Sequence, residues 1–125
     1  MQRRRLLFLL LAVLTIGVGL AVHIYGEAVP RAFRDKLGDA LWAAMMTWFV
    51  AAAIPSAKAT TRAAVSIGIC FAVELSQLIH TPWLESVRDT TLGSLVLGSG
   101  FDAADLAAYA VGVLAVTTLG ARMSL

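Results

Sequence analysis

Of the eight carboxylates in this sequence, Glu74 stands where a carboxylate is most costly, inside the apolar run from Ala63 to Ile79. An ionised group at such depth costs on the order of several kcal/mol unless it is protonated or paired, and it marks a functional site by default. Gln77 lies one turn further on, so both project from one helix face, with His80 and Thr81 continuing it. Two chemistries suit this pair. Glu74 can act as a general acid or base or as a polar ligand-binding group, or it can stay neutral in an interhelical hydrogen bond.

A second polar stripe, Asp102, Asp105 and Tyr109, has spacing i, i+3 and i+7 at the start of another apolar run. Asp102 has an ordinary explanation as a helix N-cap or dipole partner. Asp105 lies deeper, and Tyr109 is its hydrogen-bond partner or a packing residue. A third stripe opens with Arg34-Asp35-Lys36-Leu-Gly-Asp39, with Trp42 one turn later. Asp35 and Asp39 share a face at i, i+4 and favour a helix start. Lys36 can contact phosphate or snorkel at a bilayer rim. Arg88, just before Asp89-Thr90-Thr91, can hold phosphate or carboxylate in two-pronged fashion, or pair with Asp89, Glu85 or Glu74. The candidate ligand-binding residues are thus Asp35, Lys36, Trp42, Glu74, Gln77, Arg88, Thr91, Asp105 and Tyr109, with Glu74 and Asp105 as candidates for acid–base work.

The elements that hold these residues are legible in composition. The chain of 125 residues is 59% hydrophobic and 14% charged, against about 25% charged in soluble domains. Mean hydropathy is +0.82. Four apolar runs stand out, at residues 6–22, 37–54, 63–79 and 103–119. The first, at ~1.5 Å per residue, covers roughly 26 Å, which suffices for a bilayer core with slight thinning. A cleaved signal peptide shares its basic start, but signal apolar regions run about 7–15 residues, so the helix is expected to be kept. Pro55 stops the second run and Pro82 the third. Gly17 and Gly19 offer a place for close helix packing, without forming GxxxG. Between the third and fourth runs, Leu92 to Phe101 is apolar, broken by glycines and too short to cross, as in a re-entrant or interfacial segment. The expected fold is therefore an all-α membrane protein, residues 1–125 forming a single domain of four transmembrane helices with that short segment between the third and fourth.

Orientation follows the basic residues. Arg3, Arg4, Arg5, Lys58, Arg62 and Arg122 fall on the side of both termini, and Arg31, Arg34, Lys36 and Arg88 on the other. That balance puts both termini in the cytoplasm. The acids follow a sharper rule: Glu27, Asp35, Asp39, Glu85, Asp89, Asp102 and Asp105 all lie at the outer loops or helix ends, and Glu74 is in the outer third of its span. A net charge of +2 without an aromatic-laced basic patch excludes a nucleic-acid partner. Cys70, alone in an apolar run, forms no internal disulfide and reads as a buried small hydrophobe. No Cys or His spacing suits a metal, and no nucleophile elbow or phosphate loop is present, so neither metal nor cofactor is expected.

The same residues carry a family resemblance. Arg34-Asp-Lys-Leu-Gly-Asp-Ala-Leu-Trp42, Val73-Glu-Leu-Ser-Gln77, Thr81-Pro-Trp-Leu84, Arg88 with Thr91-Leu-Gly93, Val96 to Phe101 and Asp105-Leu-Ala-Ala-Tyr109 resemble a group of small bacterial inner-membrane proteins of unknown function, some carrying a ribosome-maturation label. The group is distantly similar to the VanZ-like family linked to teicoplanin resistance, through an Asp-Lys pair, a Glu-x-x-Gln helix and an acid before the last helix. Where that family has Asn-x-x-Gly, this chain has Asp105-Leu-Ala-Ala108. The resemblance implies a shared helical fold, an inner-membrane location and an envelope-related role. The leading expectation is a binding protein for a lipid or amphiphile headgroup at the outward charged site. The alternatives are a membrane enzyme acting on an envelope lipid, a small proton-coupled transporter, or a helper subunit for a membrane-protein partner.

Overall fold

The structure, a computed structural model, describes residues 2–79, 81–90 and 102–125. Helix α1 spans Gln2–Tyr25 and passes through a 3-10 turn, Gly26–Ala28, to α2 at Arg31–Ala53. Pro30, with extended ψ, precedes α2, where its missing N–H costs nothing. Pro55 follows α2 and ends it. Helix α3 spans Ala59–Ser76, a short α4 covers Pro82–Arg88, and α5 spans Ala103–Arg122.

The helices run up and down. Arg5 at the start of α1 donates to the Ala52 carbonyl at the end of α2. Arg62 at the start of α3 meets Leu125 beyond α5, while Glu74 near the end of α3 meets the start of α5. Helix α2 is the hub, packing against α1, α3 and α5, and α3 also packs on α5. One core of Phe8, Ala12, Trp48, Ala51, Ala52 and Val116 joins α1, α2 and α5. A second, of Ala43, Cys70, Tyr109 and Val113, joins α2, α3 and α5. Cys70 is buried there as a free thiol. The close approach depends on Gly112, not on Gly17 or Gly19. A Cβ on Gly112 would lie 2.1 Å from the Ala40 carbonyl oxygen, whereas Gly17 and Gly19 have nothing within 4 Å.

The bundle interior combines these apolar cores with buried polar groups, and its outer surface carries many exposed apolar side chains. Helix α3 buries Arg62, Ser66, Cys70 and Glu74 at i+4 spacing and turns Val65 and Leu75 outward, with Leu78 and Ile79 exposed just beyond its end. Ser66 and Glu74 are 0% exposed, while Leu6, Leu78 and Leu114 are 57–63% exposed. In water this arrangement inverts the favourable one; in lipid it is the stable one, because buried ionisable groups face the bundle and apolar ones face the tails.

Of the four expected spans, three are matched in length and composition among the described residues. Three helices, Gln2–Ala28, Ala59–Ser76 and Ala103–Arg122, are long and apolar enough to cross a membrane. Helix α2 is not among them, because Lys36, Asp39 and Thr47 dilute its apolar residues. The third helix also ends at Ser76 rather than Ile79, and α4 lies between the third and fourth apolar runs, where no helix was expected. The expected re-entrant or interfacial segment falls on residues 91–101, outside the described residues.

Candidate functional site

Two polar layers meet at the end of the bundle formed by the C-terminus of α3 and the N-termini of α2 and α5. The inner layer centres on Glu74, which α3 carries to the interior at the last position of its buried stripe. Its Oε1 accepts the Asp102 backbone N–H at 2.8 Å. Its Oε2 accepts the Tyr109 hydroxyl at 2.8 Å and the Gln77 side-chain amide at 3.2 Å. Tyr109 therefore pairs with Glu74 and not with Asp105. Trp42 packs at a tilt against the Tyr109 ring, with centroids 5.5 Å apart. Three donors on one sealed carboxyl tie α3 to α5 and satisfy a group that would otherwise be prohibitive at this depth.

The outer layer centres on Lys36. Its ammonium donates to Asp102 at 2.8 Å and also to Asp105. Asp102 caps α5 as well, accepting the Ala104 N–H at 2.9 Å. The Lys36 side chain is 37% exposed and that of Asp105 15%. Asp39, three residues after Lys36 on the same face of α2, is partly buried near Asp105. Hydrogen bonds from Lys36 and from the Ala104 N–H hold Asp102 below the usual aspartate range. The two carboxylates in turn hold the Lys36 ammonium above the usual lysine range.

Seven of the nine candidate residues fall into place in different ways. Lys36 and Asp105 join the outer layer, and Glu74, Gln77, Tyr109 and Trp42 the inner one. Arg88 joins neither: it is buried at the joint of α3 and α4, donating to the carbonyls of Ile79 at 2.7 Å and Ser76 at 2.6 Å and to Glu85 at 3.0 Å. It closes the end of α3, whose last carbonyls have no intrahelical partner. Asp35 points away, exposed. Thr91 lies outside the described residues, as does His80. Asp39 and Asp102 complete the outer layer, although their sequence context gave them only helix-start roles. The spacings Lys36–Asp39 and Asp102–Asp105, both i+3, were the signal. Among the described residues no group of three His, Cys, Asp or Glu side chains is set to hold a metal ion.

Fold and site together define an α-helical membrane protein with buried polar groups and an acid-rich end. The chain matches, over residues 28–113, the family described as a protein of unknown function, DUF2809, and it belongs to that family. The match covers α2 to α5 up to Val113 and so contains both polar layers. The family's description carries neither the VanZ-like nor the ribosome-maturation label. No solved structure matches the chain.

Proposed function

We propose that the outer layer is a headgroup site for a lipid or amphiphile, open on the extracytoplasmic side of a bacterial inner membrane. The observation that carries this reading is the Lys36 ammonium held between Asp102 and Asp105 at a partly exposed mouth, with Asp39 near Asp105. Two of the three ammonium donors are used by these acids, and the third suits a phosphate oxygen. Three acids around one lysine leave an excess of negative charge, which suits an amine or hydroxyls. A zwitterionic headgroup satisfies both, with its tails along the apolar outer faces of the helices.

Helix α2 is the fourth span in this reading. It is the most polar of the long helices, yet α1, α3 and α5 surround it, so its polar groups need not face lipid. The acid-free pole, with six Lys and Arg residues, then lies in the cytoplasm. A distant VanZ-like relationship fits the same Asp-Lys, Glu-x-x-Gln and Asp105 positions.

The test is mass spectrometry of lipids retained by gently purified protein, wild type against Asp105→Asn and Lys36→Met. Loss of one amphiphile class in both variants supports the site, and equal retention in all three removes it. A proton-coupled transporter is the second reading, favoured only by the nearness of Asp39 to Asp105. It requires that proton flux into liposomes disappear in Asp39→Asn. Enzymatic acid–base work by Glu74 is disfavoured by its complete burial among three protein donors.

A further inference from the structure

The opposite pole holds a charged group that neither polar layer uses. Arg62 opens the buried stripe of α3 and is 7% exposed. Its guanidinium lies over the Phe8 ring, 5.1 Å from the centroid, and Nη2 donates to the Leu125 carbonyl at 3.1 Å. Nη1 is buried with no hydrogen-bond partner among the described residues. A buried charged donor left unpaired is expensive, so such a group points to an occupant that supplies the acceptor.

Arg62 also lines a small cleft with Phe8, Thr47, Trp48 and Thr117. The cleft admits about one oxygen-sized atom. At its rim the Arg4 guanidinium lies 5.8 Å from the same Phe8 ring. Two like charges thus sit against one phenyl ring, and an anion near them would offset their repulsion. The acidic side chains all belong to the other half of the bundle, and Leu125 already supplies an oxygen to Nη2 but none to Nη1. Arg5 is already engaged with the Ala52 carbonyl. Thr47 and Thr117 donate their hydroxyls to the carbonyls of Ala43 and Val113, so they add no donor to the cleft.

We propose that Arg62, with Arg4 at the rim, forms an oxyanion site at the basic pole that takes one oxygen of a phosphate group. Guanidinium suits this role because its planar fork meets phosphate geometry and never loses its charge. The phosphate can belong to an anionic lipid headgroup or to a free solute, and the cleft is too small to admit more than an oxygen of either.

The experiment uses the full chain in nanodiscs, prepared without phosphate, of phosphatidylglycerol or of phosphatidylcholine. Thermal unfolding is followed with and without inorganic phosphate, and retained lipid is counted by native mass spectrometry. Wild type is expected to be more stable in phosphatidylglycerol and to keep that lipid through delipidation, with retention roughly tenfold lower in Arg62→Lys and lower in Arg4→Gln, as for loss of a charge-assisted hydrogen bond. Stabilisation by inorganic phosphate in phosphatidylcholine, lost in the same variants, supports the same site with a free phosphate as its occupant. Arg4→Gln lies at the rim, so it reads the site even where Arg62 variants fail to fold. Equal stability in both lipids, no response to phosphate, and an Arg4→Gln protein indistinguishable from wild type would overturn the proposal and leave the cleft to water.

Discussion

Removing the Glu74 carboxyl separates a structural hydrogen-bond hub from a group that merely tolerates burial. Glu74→Ala strands the Tyr109 hydroxyl, the Gln77 amide and the Asp102 N–H. Each orphaned donor costs about 1–3 kcal/mol when buried. Hydrogen bonds between membrane helices are weaker in practice, averaging about 0.6 kcal/mol with a ceiling near 1.7. The Asp102 N–H belongs to an exposed residue, so water can replace part of its bond. Two buried orphans and a vacated side-chain volume then leave an expected loss of about 2–4 kcal/mol. Glu74→Gln should cost less, about 1–2 kcal/mol, because its oxygen still accepts from Asp102 and its amide can donate to the Tyr109 oxygen, while the Gln77 amide must turn over and the Tyr109 proton loses its acceptor. The assay is reversible unfolding in mixed detergent with increasing SDS, with Tyr109→Phe completing a double-mutant cycle. Alanine and glutamine variants of equal stability, or a Glu74→Ala cost below about 0.5 kcal/mol, would refute the hub.

Three further outcomes follow from other contacts. Gly112→Ala should destabilise by about 1–3 kcal/mol, since its methyl group would fall 2.1 Å from the Ala40 oxygen and force α2 from α5. Gly17→Ala, with nothing within 4 Å, should leave the thermal midpoint unchanged or raise it. Arg88→Met should speed hydrogen exchange in residues 76–79 and α4 while leaving α1 and α2 protected, because the lost bonds are confined to that joint. The Lys36–Asp102 link has a predictable pH window. Lys36 is raised in the folded state, so its contribution is complete below lysine's ordinary 10.5 and fades only above it. Asp102 is lowered, so its contribution is complete above aspartate's ordinary 3.8 and is lost as the pH falls through its folded value. The stability difference between wild type and Lys36→Met should therefore shrink in acid, as the pH falls below aspartate's ordinary 3.8. A difference that stays unchanged down to about pH 2 would contradict the pairing.

Apolar run length made α1, α3 and α5 legible, because a span needs a continuous stretch of apolar residues and these have one. It was less informative for α2, whose polar residues are tolerated by neighbours that are remote in sequence. Glu74 stood out because an acid in an apolar run is conspicuous, and Gln77 followed from one helical turn. The choice of Tyr109 over Arg88 as its partner depends on the antiparallel packing of α3 and α5, which spacing within one helix cannot report. Arg88 illustrates the same gap: a guanidinium before a glycine-rich stretch has the sequence context of an anion ligand, but the unfilled carbonyls at the end of α3 claim it. Helix α4 had a readable start in Thr81-Pro82, since proline favours the first helical turn. Gly112 looked like any other glycine because close approach is a property of two helices.

The two polar layers have different physical duties. Glu74 is sealed and its three donors are internal, so the alignment of α3 with α5 does not depend on what enters the mouth. Lys36, Asp39, Asp102 and Asp105 lie above it, tying α2 to α5 through contacts that water or a headgroup can exchange. In the proposed headgroup reading, an incoming ammonium replaces Lys36 at Asp105 without unlocking the bundle beneath. This division also explains why a single substitution cannot test both duties. Glu74 variants report on the bundle, Lys36 and Asp105 variants report on the mouth, and lipid retention lost only with the second pair is the pattern that a headgroup site requires.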